Sequence, residues 1–350
     1  MSVISVPPLD ADAARSTRER IDQLTKPVGS LGRIEELAER LAAIHGGLPP
    51  VYERRAILLG AGDHGVCAEG VSAYPAEVTP QMVGAFLAEF AAINAFARVS
   101  HADVFVADFG VATPLPQHSR LMDLNVRRGT RNFAREAAMT DAELDRALRA
   151  GSEAFANLQA QVRPQILALG EMGIGNSTSA AAMVAAFTGV EAEAVVGRGT
   201  GIDDETLRRK TRIVTEAVER VRGADWRTIA REVGGLEIAG LAGALLAAAQ
   251  ARVPVVLDGF IVSAAALLAY YIAHESIGYC IAAHRSREVG HSVALRHLGL
   301  VPLFDLDLRL GEGSGAALAF PLCEAAARMV REMKTFAEAG VATANEPLNA

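Results

Sequence analysis

The sequence predicts an α/β protein with a mainly parallel sheet flanked by helices. Short apolar runs stop at polar residues and lead into helical stretches, as where residues 165–169 precede Glu171 and residues 253–257 precede Asp258. Strand-like runs that alternate with helical patterns are typical of βαβ units. Only 5% of the residues are aromatic and many are alanine or glycine, which favours close packing of helices on a sheet. Ligands bind beyond the carboxyl ends of such strands, where these polar residues would converge.

The two chain ends predict helices outside this sheet. After the turn-rich residues 25–30, apolar side chains recur at helical spacing, namely Leu31, Ile34, Leu37, Leu41 and Ile44. Beyond Gly315 the pattern is helical again as far as about Ala339, and we expect Pro321 to interrupt it. We therefore expect a small helical domain from residues 1–47 and 321–350, beside an α/β domain over residues 48–320.

Composition and charge point to a small-molecule ligand. A formal net charge of −7 gives no long-range attraction to nucleic acid or to an anionic membrane surface. Cys67, Cys280 and Cys323 are too few and too scattered for a disulfide framework or a metal-binding motif. The N-terminus lacks an export signal, and the apolar stretch 260–273 is shorter than the roughly 20 residues of a membrane span. We expect a cytoplasmic protein that binds neither membranes nor nucleic acids, with 260–273 as a buried helix.

Asp63 and His64 follow the first predicted strand in the sequence AGDHGV. They have the chemistry of an acid/base pair or of metal ligands, yet no other spacing of His, Asp or Glu completes a metal site. We therefore favour a place for both in the wall of a substrate pocket.

A glycine-rich loop between a predicted strand and an alanine-rich helix predicts a phosphate site. Residues 166–178 read ILALGEMGIGNST, so exposed backbone amides would meet the positive end of a helix. Asn176 stands where a nucleoside-triphosphate loop has its lysine, which favours a monophosphate ligand. A turn that only lets the helix approach the strand explains the pattern about equally well.

Two later segments carry groups that suit a phosphate. Residues 197–201 form a second glycine loop before a helix with Lys210, although a charge run on a helix is more commonly a solvated face. Ser286, in the sequence HRSREVGH, is a candidate phosphate donor or the N-cap of the next helix.

Glu312 lies between glycines in the sequence LGEGSG, so its backbone would approach a ligand closely. On this pattern alone, a solvent-exposed loop glutamate is at least as good an explanation as a catalytic one. Only the wider set of motifs distinguishes the two.

Together the motifs resemble those of the nicotinate-nucleotide:dimethylbenzimidazole phosphoribosyltransferase family. The match runs in order from Leu24 to about Leu322. It comprises LTKPVGSLGRIE, AGDHGVCAEGVSAYPAEVT, GEMGIGNSTSAAA, GRGTGIDD, GGLEIAGLAGALLAAA, PVVLDGFI, AHRSREVGH and LRLGEGSGAAL.

The resemblance implies a homodimeric glycosyltransferase that uses no metal or other cofactor. It would transfer the phosphoribosyl group of nicotinate mononucleotide to 5,6-dimethylbenzimidazole, giving α-ribazole 5′-phosphate and nicotinate with inversion at C1′. The catalytic glutamate maps onto Glu312 and a second active-site glutamate onto Glu171. The phosphate-binding residues map onto Gly173, Ile174, Gly175, Asn176 and Ser177, supported by Lys210 and Ser286. The base pocket maps onto Ser72, Ala73, Tyr74, Gln81, Met172 and Leu310.

The chemistry of this transfer explains the need for a carboxylate. The leaving pyridinium becomes neutral on departure, whereas the incoming benzimidazole becomes cationic unless its N–H proton leaves. We expect Glu312 to accept that proton. Transfer to another base, hydrolysis, or a nucleotide-sensing module without turnover remain alternatives, and Ala73 leaves the base preference open.

Overall fold

The computed structural model describes residues 5–199 and 201–342. Thr200 of the second glycine loop, and residues 1–4 and 343–350 of the predicted helical domain, lie outside the described residues. The helices are α1 Ala11–Gln23, α2 Arg33–His45, α3 Val78–Leu87, α4 Ala92–Val99, α5 Asp141–Gln161, α6 Asn176–Thr188, α7 Asp204–Arg220, α8 Trp226–Val233, α9 Leu236–Gln250, α10 Phe260–Ile272, α11 Val289–His297, α12 Ser314–Glu332 and α13 Phe336–Ala339.

Within the described residues, six parallel strands form one sheet in the order β3-β2-β1-β4-β5-β6. The strands are β1 Arg55–Gly62, β2 Ala102–Gly110, β3 Leu121–Asp123, β4 Ile166–Met172, β5 Val255–Leu257 and β6 Cys280–Ala282. Every residue of β1 and β4 is buried, as expected of parallel strands that helices cover on both faces. The predicted α/β class is confirmed.

Small side chains let helices pack closely, as their abundance predicts. A Cβ on Gly151 of α5 would lie 1.8 Å from the carbonyl oxygen of Gly240 in α9, and a Cβ on Gly243 would lie 2.0 Å from that of Leu148. The backbones of the two helices are therefore in direct contact. The apolar stretch 260–273 forms the mostly buried helix α10, which confirms its prediction.

One stretch of the chain, Val78–Val99, has the length and hydropathy of a membrane span. Two separate helices, α3 and α4, form this stretch, with ten and eight residues respectively. Each is much shorter than the roughly 20 residues that a spanning helix needs.

The chain divides into two compact units, residues 5–7 with Arg54–Ala319 and Pro8–Glu53 with 320–342. The second unit is helical and combines both chain ends, as predicted. Its parts are joined by hydrogen bonds from the Arg20 guanidinium to the carbonyls of Val330 and Met333, at 2.9 and 3.2 Å, and by an antiparallel bridge between Leu24 and Thr335.

The expected interruption at Pro321 is wrong, because α12 runs without a break from Ser314 to Glu332. A proline within a helix removes one backbone hydrogen bond and crowds the preceding turn. In a helix of 19 residues, the remaining bonds and the buried side chains Phe320 and Cys323 maintain the helical path.

Candidate active site

A cavity of about 560 Å³ lies where residues after β4, after β6 and before α12 meet. Such a position, beyond the carboxyl ends of parallel strands, is where α/β sheets bind ligands. The cavity is lined by Val71, Ser72, Tyr74, Val78, Met82, Glu171, Met172, Gly173, Ile174, Gly175, Asn176, Ser177, Arg198, Gly199, Lys210, Ile261, Glu288, Arg309, Leu310 and Glu312.

Most of the site residues expected from the sequence lie together in this wall. Five do not: Ala73 and Gln81 are exposed and lie outside the lining, whereas Ser286, Asp63 and His64 are buried and lie outside it. The N-cap alternative for Ser286 is also excluded, because α11 begins only at Val289. Its hydroxyl instead accepts the backbone N–H of Glu288 at 3.3 Å. Ser286 therefore shapes the segment that brings Glu288 to the cavity.

The expectation that Asp63 and His64 line the pocket is wrong. His64 Nε2 lies 2.7 Å from Glu237 Oε1, and both side chains are fully buried. Asp63 Oδ2 accepts the backbone N–H of Ala112 at 2.8 Å. His64 therefore connects its loop to α9, and Asp63 connects it to the residues after β2. The partner of His64 is 173 residues away in the chain, so no local pattern indicates it.

Glu312 presents a nearly buried carboxylate to the cavity. It is 7% exposed, and within the described residues neither a hydrogen bond nor an ion pair engages its side chain. Burial, and next the charge of Asp258, raise the pKa of Glu312 to about 7. A buried polar group without a partner is uncommon in proteins and calls for an explanation. A ligand in the cavity is the natural partner.

Glu171 places a second carboxylate beside the first. It is the penultimate residue of β4, 6% exposed, and its Oε2 accepts a hydrogen bond from the side chain of Asn176. Burial raises the pKa of Glu171 to about 8, with further contributions from Asp258 and Glu237. A Cβ on Gly311 would lie 2.3 Å from Glu171 Oε1, so this carboxylate packs directly against the loop that carries Glu312.

The predicted phosphate loop meets the cavity at the N-terminus of α6. Gly175 precedes this helix with φ of +92°, a conformation that glycine adopts without strain. The backbone N–H of Ile174 donates to Thr79 Oγ1 at 3.0 Å, which ties the loop to α3. The turn thus exposes the start of α6, and helix N-termini favour anions.

Lys210 brings a buried cation to the same loop. It is 1% exposed, and its Nζ donates to Ser177 Oγ at 2.9 Å and to the carbonyl of Gly197 at 3.2 Å. Burial lowers the pKa of Lys210 to about 8, although the carboxylate of Glu288 opposes this shift. The helix end, a hydroxyl and an ammonium group therefore converge at one place.

Several lining residues were not predicted from the sequence. Arg198 and Arg309 lie within motifs that the sequence does single out, so proximity to those motifs was an available signal. Arg198 donates to the carbonyl of Ile202 at 2.8 Å and pairs with Asp204. Ile261 reaches the cavity only through the packing of α10, which no local pattern shows.

Among residues 5–199 and 201–342, no group of three or more His, Cys, Asp or Glu side chains is arranged to hold a metal ion. The acidic and basic side chains that line the cavity are Glu171, Glu288, Glu312, Arg198, Lys210 and Arg309. This set suits proton transfer and anion binding.

Comparisons with known proteins agree with this site. A family model described as phosphoribosyltransferase matches residues 6–341. The chain is 50% identical over 342 residues to a nicotinate-nucleotide–dimethylbenzimidazole phosphoribosyltransferase of Chloroflexus aurantiacus, covering 97% of each chain. It is 51% identical over 334 residues to the enzyme of that name from Thermus thermophilus, covering 95% of this chain and 99% of the relative. The crystal structure of CobT from Thermus thermophilus superimposes with a TM-score of 0.92 at 51% identity, covering 95% of this chain and 99% of that one.

Proposed function

The chain belongs to the family of nicotinate-nucleotide–dimethylbenzimidazole phosphoribosyltransferases of cobalamin lower-ligand synthesis, and we propose that its Glu312 is the general base of the transfer. The observation that carries this proposal is the partnerless, nearly buried carboxylate of Glu312 in the cavity wall. A carboxylate that titrates near neutral pH is both ionised often enough and basic enough to accept a proton.

The bond changes define what this base must do. The C1′–N bond of nicotinate mononucleotide breaks and its electron pair returns to the pyridine ring, which releases neutral-ring nicotinate. A ring nitrogen of dimethylbenzimidazole donates its lone pair to C1′ and forms the new bond. The N–H proton on the other ring nitrogen passes to Glu312, so the product carries no positive charge on its base.

Glu171 supports this step by its position. Its carboxylate packs against Gly311, and the Asn176 side chain holds one of its oxygens. Because its pKa is raised to about 8, Glu171 is mostly protonated at neutral pH, so it supports the step by its position beside Glu312. We place the base against the lining residues Ser72, Tyr74, Met172 and Leu310.

The 5′-phosphate anchors the donor at Gly173–Ser177 and Lys210. Backbone amides at the start of α6 and the ammonium group of Lys210 supply the donors and the positive charge. An anchored phosphate fixes C1′ between the leaving pyridine and the incoming base, so attack from the opposite face inverts the anomeric centre. The homodimer implied by the resemblance and the cytoplasmic location expected from the sequence stay predictions.

Replacement of Glu312 by glutamine tests the base, since glutamine keeps the size of the side chain and removes its basicity. We expect kcat for nicotinate release with dimethylbenzimidazole to fall by about 100-fold or more. The affinity for nicotinate mononucleotide, measured by titration calorimetry, should stay within a factor of about 2, because the phosphate anchor is intact. Mass spectrometry of the products identifies the acceptor.

Glu89→Gln is the matched control, because Glu89 is exposed, lies outside the cavity lining and also has a positive φ, +63°. This variant should retain full turnover. Near-normal turnover of Glu312→Gln would contradict the base assignment, and ribose 5-phosphate as the main product of the unaltered protein would favour a hydrolase.

A further inference from the structure

The loop that carries Glu312 is in an unusual backbone conformation at three consecutive residues. φ is +85° at Gly311, +61° at Glu312 and +75° at Gly313. Side chains other than glycine rarely adopt this region, and left-handed residues normally occur singly. Such a conformation persists only where neighbouring groups fix it. The question is which groups fix this loop.

Asp258 supplies the hydrogen bonds that hold the loop. It directly follows β5, is 1% exposed and does not line the cavity. Its Oδ2 accepts the N–H of Gly313 at 3.0 Å, while its Oδ1 accepts those of Gly315 and Ala316 at 2.7 and 3.1 Å. The first N–H groups of a helix lack intrahelical partners and favour a negative charge. Asp258 therefore caps α12 from the neighbouring strand, immediately after Glu312.

Strand β4 holds the same loop by direct packing. A Cβ on Gly170 would lie 2.4 Å from the backbone nitrogen of Gly313 and 2.7 Å from the carbonyl carbon of Glu312. The loop backbone thus rests on the one residue of β4 that has no side chain. The hydrogen bonds to Asp258 hold the loop near β5, and the missing side chain at Gly170 allows the loop to contact β4.

The charge of Asp258 reaches both glutamates. It raises the pKa of Glu312 after burial, and it raises that of Glu171 likewise. His284 Nε2 lies 3.6 Å from Asp258 Oδ1, and burial lowers the pKa of His291 to about 3, so that ring is neutral. The titratable and charged groups around Asp258 and Glu312 are Glu171 on β4, Glu237 on α9, His284 after β6, His291 on α11 and Arg309 in the cavity wall.

From these contacts we infer that Asp258 is a positioning residue, whose three hydrogen bonds hold the loop so that the Glu312 carboxylate faces the acceptor base. Asp258 lies outside the cavity lining, so it acts through Glu312. The inference rests on the proposed role of Glu312 as general base. The charge of Asp258 adds a second effect, because a neighbouring negative charge makes the Glu312 carboxylate more basic.

Asp258→Asn tests this inference, because asparagine keeps the shape but has a single acceptor oxygen and no charge. We expect kcat to fall by about 100-fold, as for a misplaced catalytic group, with KM for nicotinate mononucleotide nearly unchanged. The acidic limb of the profile of kcat/KM against pH should move to lower pH, since the pKa of Glu312 loses one of the two causes that raise it. Asp258→Glu displaces the carboxylate but keeps its charge. It should therefore lose turnover while the acidic limb stays at the same pH, and it tests the inference if the asparagine variant does not fold.

Asp108→Asn is the matched control for loss of a buried carboxylate that accepts a backbone N–H. Asp108 is 2% exposed, lies in β2 and accepts the N–H of Val111 at 2.7 Å, away from the Glu312 loop. This variant should melt at a lower temperature with kcat and the pH profile unchanged. The inference is overturned if Asp258→Asn loses no more turnover than Asp108→Asn, or if its acidic limb stays in place.

A double variant separates positioning from a general structural role. In a Glu312→Gln background, Asp258→Asn should reduce the residual turnover by less than about threefold, because residues that act as a unit are not additive. A further full loss would show that Asp258 acts independently of Glu312 and would refute the inference. If instead Glu312→Gln alone retains turnover, the proposed general base fails, whatever Asp258 does.

Discussion

Replacement of Glu171 by glutamine should remove much of the decline in stability between pH 6 and pH 8. The pKa of Glu171 in the folded protein, about 8, lies above the ordinary value of 4.5. Between these values the folded state binds more protons than the unfolded state, so the free energy of unfolding falls as the pH rises. Glutamine has the same shape and does not titrate, so its variant lacks this contribution.

The magnitude follows from the two pKa values. Their difference corresponds to about 5 kcal/mol at about 1.4 kcal/mol for each pKa unit. Between pH 6 and pH 8, the carboxylate is ionised in the unfolded state and begins to lose its proton in the folded state. This pH range accounts for about 2 kcal/mol of that difference in the free energy of unfolding. Glu312, with a pKa of about 7, contributes in the same direction and remains in the variant. The decline from pH 6 to pH 8 should therefore be smaller in Glu171→Gln by about 2 kcal/mol.

Urea unfolding followed by circular dichroism at pH 6, 7 and 8 measures this difference. Glu143→Gln is the control with the opposite sign. Although burial opposes it, hydrogen bonds from Arg131 and Thr140 lower the pKa of Glu143 to about 2. Its stabilisation is complete above pH 4.5, so this variant should lose stability equally at pH 6 and pH 8. An equal decline in Glu171→Gln and the unaltered protein would refute the assignment of the pH dependence to Glu171.

Two further substitutions test the phosphate anchor and the contact beneath the loop. Lys210→Met should raise KM for nicotinate mononucleotide by about tenfold or more with a smaller change in kcat, since a binding contact is lost. Arg212→Met, at an exposed position of α7, is the control and should leave initial rates unchanged. A loss of kcat alone in Lys210→Met would argue against an anchor. Gly170→Ala should lower both turnover and the melting temperature, because its Cβ would lie 2.4 Å from Gly313 N. The control is Gly84→Ala, where a Cβ meets no atom within 4 Å, and it should stabilise α3 by up to about 1 kcal/mol. Equal melting temperatures of the two alanine variants would show that the loop moves away from β4 freely.

The sequence was sufficient to predict the features that local patterns encode. Alternation of buried strands and helices identified the parallel sheet, and the position of Glu171 at the end of a strand placed it at the binding edge. The glycine loop before α6 indicated a helix N-terminus open to a ligand. Each of these properties depends on residues that are neighbours in the chain, so a linear pattern carries it.

The features that the sequence did not predict depend on distant partners. His64 looks like a pocket residue from its neighbours, but its orientation follows Glu237, which lies 173 residues further on. Pro321 looks like a helix end, but packing along α12 outweighs the loss of one hydrogen bond. In both cases a tertiary contact decides against the local preference.

The hydrogen bonds of two adjacent residues show why local patterns predicted much of the candidate site. Asn176 and Ser177 are consecutive residues at the start of α6, and Asn176 holds the Glu171 carboxylate while Ser177 holds the Lys210 ammonium group. Two consecutive residues therefore hold the carboxyl group next to Glu312 and the ammonium group that suits a phosphate. A nucleotide whose phosphate is negative and whose pyridinium is positive matches this order of groups in only one orientation. In the proposed reaction, the consecutive pair Asn176–Ser177 would set the direction in which the donor lies, and exchange of these two residues should raise KM for nicotinate mononucleotide and lower kcat together in initial-rate measurements.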